Sequence, residues 1–114
     1  MKILFVENHP VFAKTVTTKF LANHQVSTVS SIAGAWSAIT AGSFDVVLVD
    51  YDLDDGKGDE LARRIRSHRL PVKIVGVSSH EGGNAAIQQA GADAICSKME
   101  FSDIGSILRR LVPA

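Results

Sequence analysis

The stretch at 46–61, "VVLVDYDLDDGKGDEL", runs four apolar residues into an aspartate and then places Asp50, Asp52, Asp54 and Asp55 close together. Aliphatic residues in succession, not in alternation, suit a short strand covered on both faces. Carboxylates at the end of such a strand repel one another and lose hydration on burial. A cation, or a loop open to water, has to stand opposite them.

Working outward, the same kind of run recurs at 2–6, 25–29, 73–77 and 93–96, and the central one extends over 44–49. Helical spacing fills the intervals. Phe12, Val16 and Phe20 follow Pro10, a good first-turn residue; Ala35, Trp36 and Ile39 follow Ser30 and Ser31, which can cap. Leu61, Ala62 and Ile65 follow "DGKG", and Ala86, Ile87 and Ala90 follow Gly82, Gly83 and Asn84 and stop at Gly91. Ile104, Ile107, Leu108 and Leu111 form a last apolar stripe after Ser102, ending at Pro113. Five βα units predict an α/β fold: a doubly wound five-stranded parallel sheet of order 2-1-3-4-5, helices on both faces, one domain over residues 1–114. Ligands bind such sheets beyond the carboxyl ends of the first and third strands, where the winding reverses.

Twelve Lys and Arg balance twelve Asp and Glu, a formal net charge of +0, so charge gives no footprint for nucleic acid and any charge-driven function is local. Glu7 interrupts the apolar start too early for a secretory signal, and no apolar run exceeds strand length. A cytoplasmic protein with no membrane partner is expected. Cys96, the one cysteine, cannot close an internal disulfide and reads as a packed apolar side chain. Arg63, Arg64, Arg66, His68 and Arg69 follow Asp59 and Glu60, the order that suits a helix dipole, and read as a solvated helix face. Trp36 is expected to pack the second helix on the sheet, and His9 and His24 have no metal-ligand spacing to one another.

The residues just past the strands decide the chemistry. The first strand yields Glu7 and Asn8, the third Asp50 and Asp52, the fourth Ser78 and Ser79, the fifth Lys98. Acids, a hydroxyl and one ammonium form an inventory for handling phosphate with a divalent cation. Mg2+ takes oxygen ligands and keeps several waters, so one or two carboxylates at a pocket rim suffice. A carboxylate is also a nucleophile toward phosphorus once cations neutralise the transferring oxygens. Asp50, ending the central strand, is the candidate nucleophile; Lys98 would pair with it and Ser78 would donate to a phosphoryl oxygen.

With "VEN" after the first strand, "LVDYDLDDGKG" at the third, "GVSS" after the fourth and "AGADAICSK" leading to the lysine, the chain resembles a response-regulator receiver domain over residues 2–112. The resemblance implies a phosphoacceptor of two-component signalling. Asp50 would accept a phosphoryl group from the phosphohistidine of a histidine kinase or phosphotransfer protein, with Mg2+ required and slow self-catalysed hydrolysis to follow. It implies Glu7, Asn8, Asp50 and the backbone carbonyl of Asp52 as metal ligands, and Asp54 and Asp55 in an exposed loop capping the third helix.

Three positions and one segment depart from the family's pattern. Asn8 replaces the second acid; its amide carries no formal charge, which predicts weaker Mg2+ binding, offset in part by the Asp52 carboxylate. Capping of the first helix is the other reading of Asn8. Ile95 replaces an aromatic switch in the fifth strand, and Met99 replaces a proline after the lysine, so that the following loop runs differently. "HEGGN" at 80–84 predicts a mobile or shortened fourth helix. Asp52 and His80 hold the positions that tune dephosphorylation, with a solvated loop as the alternative for His80.

Two rivals remain. A pseudo-receiver that binds partners without phosphorylation fits Asn8, Ile95 and Met99, whereas Asp50, Ser78 and Lys98 together argue for the phosphoacceptor. The DxD at 50–52 also resembles phosphatases with an aspartyl nucleophile, but there it follows the first strand, not the third. The downstream protein target is not marked by the sequence, and both a stand-alone regulator and part of a longer chain fit.

Overall fold

The computed structural model describes residues 1–113. Five parallel strands, β1 (Lys2–Val6), β2 (Gln25–Val29), β3 (Val46–Val49), β6 (Lys73–Ser78) and β7 (Ala94–Ser97), form a sheet of order β2-β1-β3-β6-β7. In sheet terms this is the expected 2-1-3-4-5 wiring, with the reversal between β1 and β3. A two-stranded antiparallel ribbon, β4 (Asp52–Leu53) and β5 (Gly56–Lys57), follows β3 at its carboxyl end. The helices are α1 (Pro10–Phe20), α2 (Ile32–Ala41), α3 (Gly58–Ser67), α4 (Glu81–Gln89) and α5 (Ile104–Leu111). None of them is long and apolar enough to cross a membrane.

The continuous apolar runs feed two cores because alternate strand residues point to opposite faces. Ile3, Phe5, Val46, Leu48, Val75 and Val77 pack with Ala13 and Val16 of α1 and Ile104, Ile107 and Leu108 of α5. Leu4, Val6, Val47, Val49 and Ile74 face the other way, against Ile32, Ala35 and Ile39 of α2, Leu61 and Ile65 of α3, and Ile87 of α4. Burying each large aliphatic stabilises by about 1.5–3 kcal/mol. Glu7 and Asp50 stand at the end of these buried rows.

One capping expectation needs correction. Asp55 caps α2, not α3: its two carboxylate oxygens accept the backbone N–H groups of Ile32 and Ala33 at 2.7 and 3.0 Å. Ser31 adds its own cap by accepting the Gly34 N–H, so α2 has two side-chain acceptors and α3, preceded by Lys57, has none. Trp36 is half-buried against the core on the α2 side of the sheet, and at the seam with α3 Arg64 lies 4.3 Å from its ring and His68 4.7 Å away. The basic helix keeps the expected solvated face, with Arg63, Arg64, His68 and Arg69 exposed; Arg63 pairs with Asp59, while the half-buried Arg66 bridges to Asp93 and donates to the carbonyls of Gly91 and Val72. The fourth helix forms over nine residues, Glu81–Gln89, and includes both glycines of "HEGGN". Past Lys98 the chain makes a 3-10 turn over Lys98–Asp103 with trans peptides, capped by Ser97 Oγ, and this turn carries Phe101 into the core.

Candidate functional site

Each strand of the reversal point extends its ladder by one hydrogen bond, and those bonds aim the acids. The Glu7 N–H donates to Val29 and the Asp50 N–H to Val6, both at 2.9 Å. Glu7 and Asp50 are almost wholly buried, 2% and 4% exposed. Lys98 reaches them from the end of β7: its Nζ lies 2.8 Å from Glu7 Oε1 and 3.3 Å from Asp50 Oδ2. The approach to Glu7 is off-axis, an ion pair without a well-aligned hydrogen bond. Two carboxylates thus share one ammonium. Burial pushes the Glu7 carboxyl above its ordinary value, and the Asp50 charge adds to that, while Lys98 pulls it down.

Asp50 Oδ1 accepts the N–H of Tyr51 at 2.8 Å, which orients the carboxylate. Ser78 ends β6 nearby, 2% exposed, and its Oγ accepts the His80 N–H at 3.1 Å. Lys98 also sits 4.9 Å from the Phe12 ring, an apolar wall that keeps the ammonium from water. A buried, net acidic pocket at a sheet's carboxyl edge is chemically suited to a divalent cation and a phosphoryl group.

The comparisons with known proteins agree with this fold. The family described as response regulator receiver domain matches residues 3–108. The chain belongs to that family. It is 27% identical over 84 residues to the probable transcriptional regulatory protein NarL of Mycobacterium tuberculosis, covering 71% of this chain and 39% of that protein. The sensor histidine kinase RcsC of Salmonella typhimurium is 25% identical over 107 residues, 91% of this chain but 11% of the kinase. The chain therefore spans well under half the length of these curated relatives. Among solved structures, the response regulator TrrA of Thermotoga maritima in complex with Mg2+-BeF superposes with a TM-score of 0.87 at 19% identity, covering 97% of this chain and 98% of that one. The receiver domain of a sensor histidine kinase from Pseudomonas aeruginosa, with a magnesium ion coordinated in its active-site cleft, gives 0.89 at 23%, covering 99% and 98%. At these identities the superpositions establish the fold.

The remaining candidate residues of the receiver divide. Asn8 does not cap α1; His9 holds the cap position without a side-chain bond, and Glu7 Oε2 accepts the His9 N–H at 3.0 Å instead. The Asn8 Oδ1 atom is buried and has no hydrogen-bond partner among the described residues. Asp52 turns its carboxylate to Lys57 across the β4–β5 ribbon, and that pairing holds it below the ordinary carboxylate value. His80 is exposed at the start of α4 and makes no cap bond with its side chain. Ile95 is 38% exposed and lines a groove of about 470 Å³ between α4, β7 and α5, with Glu81, Glu100 and Asp103 at its edge. Cys96 is buried as expected, and desolvation pushes its thiol up to about 11.

Sequence reasoning missed four residues around the site. His9 brings a ring nitrogen within 4.8 Å of the Glu7 and Asp50 carboxylates. Asn84, 5% exposed, donates from Nδ2 to the carbonyls of Ser78 and Cys96, tying the end of β6 to β7. A Cβ on Gly58 would collide with the Asp50 carbonyl oxygen and stand 2.8 Å from Val49 Cγ1, and one on Gly83 would stand 2.8 Å from Ser78 Oγ. Both glycines let a helix approach the site closely; position alone gave no sign of it, since each lies where a turn or a weak helix start also accounts for glycine.

Proposed function

We propose that this receiver accepts a phosphoryl group on Asp50 from the phosphohistidine of a sensor histidine kinase or phosphotransfer protein, in a Mg2+-dependent reaction, and thereby switches its contacts with a downstream protein. The observation that carries the reading is the buried Asp50 sharing the Lys98 ammonium with Glu7, 3.3 and 2.8 Å away, with the Ser78 hydroxyl at the end of the next strand. Magnesium, when bound, supplies positive charge to the transferring oxygens. Glu7, Asn8, Asp50 and the Asp52 carbonyl would hold it; these are hard oxygen donors, and the buried, partnerless Asn8 Oδ1 fits that use.

The Asp50 carboxylate attacks phosphorus, the P–N bond to the donor imidazole breaks with its electron pair returning to the ring, and an acyl phosphate forms. Lys98 stays beside both carboxylates and compensates the charge added to Asp50. Ser78 has its hydroxyl proton free to donate to a phosphoryl oxygen, because its Oγ serves only as acceptor for His80. Asp52 and His80 stand at the entrance and tune the later attack of water. The chain is thus a phosphoacceptor with slow self-dephosphorylation, not a turnover enzyme, acting in the cytoplasm through protein contacts and without nucleic acid.

Asn8 and the exposed Ile95 favour a second reading, a constitutive binding module of the same fold. Transfer of labelled phosphoryl from a phosphorylated phosphotransfer protein separates the two. Label that is lost with Asp50→Asn and with EDTA supports the phosphoacceptor; no label, together with no Mg2+ binding, supports the constitutive module.

A further inference from the structure

His9 gives the acidic pocket a nitrogen donor. Its imidazole and the carboxylates of Glu7 and Asp50 each place one ligand atom within 4.8 Å of the others. The three residues come from different kinds of position: Glu7 and Asp50 are fixed at strand ends and buried, whereas His9 is exposed at the entry to α1. A tetrahedral ion with bonds of about 2.0–2.2 Å holds its ligands roughly 3.4 Å apart. The closing movement this requires falls on the exposed imidazole, which is free to rotate, since no hydrogen bond or ion pair of its ring is seen among the described residues. Its backbone is already fastened to the pocket by the bond from His9 N–H to Glu7 Oε2.

The rest of the pocket biases the choice of ion the same way. Asn8 offers a neutral amide where a second carboxylate would favour a hard cation, and Asp52 is occupied by Lys57. Two buried carboxylates against one ammonium leave negative charge in need of a cation. Imidazole with two carboxylates suits borderline divalent transition ions, whose affinity for such sets exceeds that of Mg2+. Resting on the reading of Glu7 and Asp50 as a cation site, we infer that Glu7, His9 and Asp50 form a binding site for a nitrogen-seeking divalent transition ion, with Zn2+ as the working probe, in which His9 is a direct ligand.

Calorimetric titration of the whole chain with ZnCl2 and, separately, MgCl2 tests this, with Zn2+-induced shifts of the imidazole nitrogens as the second readout. Wild type should bind one Zn2+ more tightly than Mg2+, and the ring nitrogens of His9, not those of His24, His68 or His80, should shift on saturation. Loss of an outer-shell partner alone costs about 10–100-fold in metal affinity, so His9→Ala should lose at least about tenfold for Zn2+ while its Mg2+ affinity stays within about twofold. Unchanged Zn2+ affinity in His9→Ala, or shifts at another histidine, overturns the inference while leaving the cation site intact. If Asp50→Asn leaves both ions bound as in wild type, the cation-site reading itself falls and the inference with it.

Discussion

Gly58 occupies a point where α3 begins against the carbonyl of the phosphoacceptor candidate, with the Gly58 N–H donating to Tyr51 at 2.6 Å. Gly58→Ala must push backbone against backbone, and overpacking of this kind costs about 1–3 kcal/mol; urea unfolding should show that loss, together with impaired phosphoryl uptake. Gly83→Ala meets the Ser78 hydroxyl and, at 2.9 Å, Cβ and Cγ of Tyr51, and should likewise slow uptake and lower stability. Asp55 tests electrostatics. The N–H groups of Ile32 and Ala33 hold its carboxyl below the ordinary 3.8, so its stabilisation is complete above that value and is lost as pH falls through the folded value. Asp55→Ala should therefore lower the thermal midpoint by a few degrees near neutral pH, and the gap from wild type should close in acid. The sequence displayed Asp55 as one acid of a run; that it answers α2 instead of α3 depends on the Asp54 N–H bond to Ser30, a contact between loops that no local pattern encodes.

At the scale of elements, the turn after Lys98 is held by an aromatic anchor. Phe101 stacks on Phe5 at 5.9 Å and meets Phe12 edge-on at 5.8 Å, while Phe12 in turn lies beside Lys98. Phe101→Ala should cost about 3–5 kcal/mol by cavity formation. Phe101→Leu should retain most of the stability yet still loosen Lys98, read as slower phosphoryl uptake at full folding. Strands β1, β3 and β6 were legible because double burial demands unbroken apolar runs, and the helices because their stripes return every three or four residues. The edge strand β2 is exposed or half-buried throughout, not covered on both faces as its run at 25–29 suggested. The β4–β5 ribbon was not legible, since two residues per strand carry no period, and the Asp52 and Lys57 side chains that close it look like any solvated pair.

On the scale of the whole molecule, strand order brings Glu7, Asp50, Ser78 and Lys98 to one edge, and that much could be read from the order of strand-end residues. His9 could not be read so, because histidine near an acid at a helix start has no spacing signal of its own; the fold places a ring nitrogen within 4.8 Å of the Glu7 and Asp50 carboxylates. Ligand binding to the native state alone stabilises it by mass action, about 2.7 kcal/mol at a hundredfold excess over Kd. Mg2+ should therefore raise the urea midpoint of wild type and leave that of Asp50→Asn unmoved. The most direct measurement of the central claim is the intact mass of the protein after a short, cold incubation with a small acyl phosphate and Mg2+. One added phosphoryl group, absent in Asp50→Asn and with EDTA, is the predicted result; an unchanged mass in wild type, or an adduct that persists in Asp50→Asn, would contradict the assignment of Asp50 as phosphoacceptor.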